Sequence, residues 1–131
     1  MRMLSTLRKR LGKDIAVWPF DPEERLNKAR IVMTEIFPRQ FMRRTGHGPG
    51  KIRTWEELNT ALVSLGSEKT RNSGIISDHA ADALISAAGL RCLCKTGAHV
   101  PENVSRPFGM TEEAALREGW IFGAGDQRLP A

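Results

Sequence analysis

Apolar positions mark out the chain before any composition is counted. Met3, Leu4, Leu7 and Leu11 recur at three- and four-residue intervals, the spacing of one helix face. Arg8, Lys9 and Arg10 fall in the last turn, where cations suit the helix dipole, and Gly12 follows as a C-cap. No N-cap residue precedes this helix, as if the segment continued a longer one. Two short runs follow, Ile15 to Phe20 and Arg30 to Phe37, each closed by proline. Their unbroken apolar character predicts strands covered on both faces. The intervening DPEERLNKA is short for a full helical crossover and leaves parallel or antiparallel pairing open.

Arg39 to Thr45 is expected to form a helical turn, and GHGPGK (46–51) a loop. That loop is no nucleotide cradle, because only three residues separate its outer glycines where the pattern requires four, and Ile52 stands where Ser or Thr is needed. Thr54 and Glu57 form a capping box, Leu58, Leu62 and Leu65 an apolar stripe, and Gly66 a stop. SEKTRNSG (67–74) reads as a polar linker. A long helix is predicted from near Ser77 through Cys94, with Ala81, Leu84, Ile85, Ala88 and Cys92 packing inward. Its many alanines and Gly89 would let it approach a sheet closely. Thr111 is expected to cap a shorter helix stopped by Gly119, and Trp120 to Phe122 to form a last strand. Alternating helix and strand signals indicate an α/β fold, and 131 residues suit a single domain over 1–131.

With 40% hydrophobic and 27% charged residues, disorder is not expected. No run nears the roughly 18 apolar residues of a bilayer span, so no membrane partner is expected. Cys92 and Cys94 point different ways on one helix, which suits neither a disulfide nor a four-ligand zinc site and fits idle thiols in a reducing, cytoplasmic setting. Charge is uneven. Residues 1–53 hold 13 Lys and Arg against 5 acids, whereas 54–131 hold 7 against 10. A basic half of this kind attracts phosphates, with Arg39, Arg43, Arg44, Lys51 and Arg53 as candidate nucleic-acid contacts. His47 and His99 lie in loops without a nucleophile elbow, and Trp18, Trp55 and Trp120 read as core or interface anchors.

The acidic residues carry the candidate chemistry. Glu35 interrupts an apolar run, which costs desolvation unless the carboxylate faces solvent, pairs with Arg39, Arg43 or Arg44, or binds a cation. Asp78 and Asp82 stand one turn apart on the same helix edge, with His79 three residues before Asp82. Asp78 also suits an ordinary helix start.

ISDHAADALISA (76–87) resembles the last-helix motif of RNase H-like nucleases, including Holliday-junction resolvases. VWPFD (17–21), TEIFPRQFMRRTG (34–46), SDHAADALISA (77–87) and REGWIFG (117–123), in this order, resemble the C-terminal half of a bacterial family of predicted RNase H-like nucleases. The resemblance implies a mixed sheet flanked by helices, with Mg²⁺ or Mn²⁺ held by carboxylates for phosphodiester hydrolysis. Glu35 matches the strand acid, Asp82 the last-helix Asp, and His79 a helix position that another acid sometimes holds. Glu35, His79 and Asp82 are thus the candidate catalytic residues, and Glu35, Asp82 and Asp78 the candidate metal ligands. The family's first strand and its leading Asp have no equivalent before Met1, so the resemblance implies a truncated chain that is inactive alone. A non-catalytic nucleic-acid-binding module is the competing expectation. An assembly partner, a second copy or a complementary N-terminal half, is the third, because a sheet lacking strands exposes its edges.

Overall fold

A computed structural model describes residues 2–97, 111, 113, 114, 117 and 121–123. The fold of these residues is mixed α/β, with five α-helices and a two-stranded parallel sheet. Chain contacts gather into two compact units. The first holds residues 2–35 with the described residues 111, 113, 114, 117 and 121–123; the second holds 36–97. Gly119, Trp120 and His99 lie outside the described residues.

In the first unit, α1 (Arg2–Leu11) runs into a 3-10 turn (Gly12–Asp14) and then β1 (Ile15–Val17). Gly12 takes φ +52°, the left-handed conformation expected of a glycine ending a helix. The short α2 (Glu23–Lys28) leads to β2 (Ile31–Met33), which pairs parallel with β1 in the register Ile15 to Ile31 and Val17 to Met33. Residues 18–30 therefore make the crossover: a turn and six helical residues suffice where the sequence left the strand direction open. Asp21 is what makes so short a connection hold. Its carboxylate accepts from Arg8 at 2.6 Å and from the Val17 amide at 2.7 Å, and Arg25 lies 3.7 Å away. Arg25 in turn donates to the carbonyls of Ile15 (3.1 Å) and Gly12 (3.0 Å). One side chain thereby ties α1, β1 and α2 together.

β1 is buried at Ile15 and Ala16, but β2 is not covered on both faces as its apolar run suggested, since Ile31 is 47% exposed. Two strands offer too little sheet to bury both sides of each. Beyond β2, Glu35 makes a single parallel bridge with Ile121, the Phe122 amide donating to the Glu35 carbonyl at 2.8 Å. Trp18 and Phe122, both buried, meet edge to face with ring centroids 5.6 Å apart. Thr111 Oγ1 accepts from the Ala114 amide at 3.2 Å, the cap its sequence position predicts.

The second unit consists of α3 (Pro38–Arg44), α4 (Trp55–Ser64) and α5 (Asp78–Lys95). Proline at N1 starts α3, where a missing N–H is harmless. The capping box of α4 is formed at both ends: Glu57 N donates to Thr54 Oγ1, and Glu57 Oε2 accepts from Thr54 N, each at 3.2 Å. The polar segment 67–74 is fastened rather than free. Asn59 exchanges hydrogen bonds with Thr70 at 2.7 and 3.3 Å, Trp55 N donates to Gly74 O, and Arg91 donates to Gly66 O and Ser67 Oγ.

The close approach permitted by the small residues of α5 is made to α3. A Cβ placed on Gly89 would lie 2.3 Å from the ring of Phe41, which is fully buried. This contact rotates the inward face of α5 away from the expected one. Ala81, Ile85, Gly89 and Leu93 are buried, whereas Leu84 and Cys92 stay partly exposed. Positions four apart advance about 40° around a helix, so the buried arc turns toward the side that carries Asp82. Cys94 is exposed and both thiols are free.

Gly89→Ala tests this packing. In an open helix the change would stabilise by roughly 0.5–1 kcal/mol, but a methyl driven into the Phe41 ring should cost about 1–3 kcal/mol. Urea denaturation is expected to show net loss, partly recovered by adding Phe41→Leu. A Gly89→Ala chain more stable than its parent would contradict the contact.

Candidate functional site

Glu35 follows β2, and only its backbone is used by the fold, through the bridge to Ile121. Its side chain is exposed and lines a small cleft with Leu4, Trp18, Pro19, Phe20 and Met33. Of the three alternatives open in the sequence, the exposed side chain matches the solvent-facing carboxylate; Glu35 enters no ion pair among the described residues.

The other candidate acids lie in the second unit, at the start of α5. Ser77 is the N-cap, its hydroxyl accepting from the Ala80 amide at 3.3 Å. Asp78 follows at the first helical position and is held by cations: Lys51 Nζ contacts one carboxylate oxygen and Arg53 donates to the other at 3.0 Å. The structure thus joins one expected metal ligand to two expected phosphate contacts. Lys51 and Arg53 remain 58% and 65% exposed, so these pairs are worth little to stability but do occupy Asp78. The hydrogen bond from Lys51, reinforced by the Arg53 charge, holds the Asp78 carboxyl below its ordinary range.

Asp82 differs from its neighbours. On α4 and α5 the carboxylates of Glu56, Glu57 and Asp78 accept from backbone amides or cations. Asp82 is half-buried, sits on the inward-turned arc, and enters no ion pair among the described residues. His79 is exposed on the same first turns. Glu35 and Asp82 are hard oxygen ligands of the kind Mg²⁺ and Mn²⁺ prefer; among the described residues, no three His, Cys, Asp or Glu side chains gather around one point.

The predicted phosphate contacts are unequal. Arg43 is exposed, and Arg44 is half-buried. Arg39 donates to the Pro49 carbonyl, closing the 46–51 loop onto α3.

Two features were not read from the sequence. Asp21 anchors the first unit; the signal available was Arg25 four residues on, the spacing of a helical ion pair. His47, in its loop, has Nε2 buried in a hollow lined by Thr45, Gly46, Gly48, Glu57, Thr60 and Ala61. Glu57 is held below the ordinary carboxylate range, first by the amide of Arg53 and then by that of Thr54, with His47 adding to the effect.

No family model, curated protein or solved structure matches the chain. Among the described residues no helix is long and apolar enough to cross a membrane.

The lowered Glu57 and Asp78 values make a pH prediction. A carboxylate depressed in the folded state stabilises it fully above the unfolded value, about pH 4, and that contribution is lost as pH falls through the lowered one. The thermal midpoint should therefore fall in acid below about pH 4. Glu57→Gln with Asp78→Asn should begin lower at neutral pH and lose less on acidification; an unchanged acid slope would contradict the assignment.

Proposed function

We propose that this chain carries metal-binding residues of an RNase H-like, divalent-cation-dependent nuclease of nucleic-acid phosphodiesters. The observation that carries the reading is Asp82: a half-buried carboxylate, left out of every ion pair among the described residues, in a chain with five more cations than acids. A surplus of positive charge offers partners to carboxylates, and Asp21, Glu24 and Asp78 have taken them, whereas the half-buried Asp82, like Asp14, has not among the described residues. The resemblance of 76–87 to a nuclease last helix lends the position its meaning, and Glu35 is the matching strand acid.

In this reading Asp82 would hold Mg²⁺ or Mn²⁺ in the second unit, with Asp78 joining if Lys51 and Arg53 release it, and Glu35 is the candidate ligand of the first unit. A bound cation would supply Lewis acidity and lower the pKa of a bound water. His79, exposed three residues before Asp82, is free to pass a proton at that edge of α5. Arg39, Arg43, Arg44, Lys51 and Arg53 contribute the positive field that draws phosphates in.

A second reading, a non-catalytic nucleic-acid-binding module, is favoured by the exposed cations Arg43, Lys51 and Arg53. It requires salt-sensitive binding and no metal.

Calorimetric titration with Mn²⁺ separates the two. The nuclease reading expects saturable heat, with affinity reduced at least about tenfold by Asp82→Asn and by Glu35→Gln, since even outer-shell partners of metal ligands are worth that much. Absence of heat, together with oligonucleotide binding that weakens steeply with salt, would replace it with the second reading.

A further inference from the structure

The cleft beside Glu35 has a composition of its own. Leu4, Val17, Trp18, Pro19, Phe20, Met33 and Thr34 line it with Glu35, all within the first unit. Its walls are apolar or aromatic apart from Thr34 and one carboxylate. Its volume is about 230 Å³, below the ~300–1,000 Å³ typical of pockets for drug-sized ligands. Phe20 is 50% exposed, although an aromatic ring is a costly group to leave in water, whereas Trp18, also in the lining, is buried.

Leu4 also belongs to a second, more open hollow lined by Ser5, Arg8 and Lys9. The two hollows thus adjoin at Leu4 of α1, a helix with four cations (Arg2, Arg8, Lys9 and Arg10) and no acid. Arg8 is held by Asp21, but Lys9 and Arg10 are exposed.

We propose that this cleft receives one unpaired nucleobase of a single-stranded nucleic acid, stacked on Phe20, with the adjoining phosphate drawn by Lys9 of α1. The inference rests on the nucleic-acid reading given above and names the form of substrate. Three features match that occupant. A planar π-system stacks on a half-exposed aromatic ring whatever its sequence. Phosphates require a cationic path beginning at the cleft's edge, and α1 provides one. A carboxylate in the wall accepts from an exocyclic amino group, as acidic side chains do from cytosine N4. The same carboxylate disfavours an anionic lipid headgroup, and duplex DNA offers no unstacked base.

The test uses the full chain with a chelator present, so that binding is read without cleavage. Anisotropy of a labelled oligodeoxycytidine of about twelve nucleotides should report tighter binding than a duplex of equal length. Phe20→Ala should weaken single-strand binding about tenfold, leave duplex binding unchanged and leave the melting temperature near that of the parent. Phe20→Trp should retain binding, and an abasic oligonucleotide of the same length should bind the parent as weakly as the oligodeoxycytidine binds Phe20→Ala. Equal affinity for the two strand forms, with Phe20→Ala indistinguishable from the parent, would overturn this proposal and leave the nucleic-acid reading standing. Binding of neither form would overturn both. Loss of binding to anionic phospholipid vesicles in Phe20→Ala, with oligonucleotide binding unaffected, would reassign the cleft to a membrane surface.

Discussion

The Asp21 carboxylate is the constraint on which the first unit is built. Three elements too small to be stable alone converge on it: α1 through Arg8, β1 through the Val17 amide and α2 through Arg25. Its side chain is only 10% exposed, so the attraction acts in a medium less polar than water and the acceptor is strongly satisfied. Arg25 extends the network by capping the Gly12 and Ile15 carbonyls. With those bonds made, a thirteen-residue connection can return the chain parallel to itself and deliver Glu35 and Phe20 to the same cleft.

Steric fit takes the corresponding role in the second unit. Phe41 lies over Gly89 with no room for a side chain, and that close approach sets the rotation of α5. The consequence reaches the other end of the helix, because the residues that step inward from Ala81 to Leu93 carry Asp82 toward the buried side and leave Asp78 at the N-terminus within reach of Lys51 and Arg53. Two carboxylates four residues apart thus acquire different environments: one neutralised by cations, one held without an ion pair.

What could be read from the residues in order was the local part. Ser77 and Thr54 act as caps because the physics of a helix start involves only the next three residues, and Gly12 and Gly66 adopt positive φ for equally local reasons. Strand direction was not legible in DPEERLNKA, since the bonds that decide it reach back to Arg8 and Gly12. The inward face of α5 differs from the expected one by about a sixth of a turn, because periodicity registers Leu84 and Cys92 as apolar without knowing that Phe41 would claim Gly89. The covering of β2 was overestimated because an apolar run reports what a strand tolerates rather than how many neighbours it has. Glu35 is legible as an acid inside an apolar run and Asp82 through the resemblance of its helix; the capture of Asp78 by Lys51 and Arg53, more than twenty residues earlier in the chain, is not.

The central claim is the proposed reading of Asp82 as a ligand of a divalent cation. Paramagnetic broadening tests it most directly, because Mn²⁺ at substoichiometric amounts erases amide signals near its site regardless of catalytic turnover. The account expects the signals around residues 79–83 to broaden at low Mn²⁺ concentration and to persist when Asp82 is replaced by Asn. Signals around 79–83 that stay sharp in the parent chain, or broadening undiminished in Asp82→Asn, would contradict it.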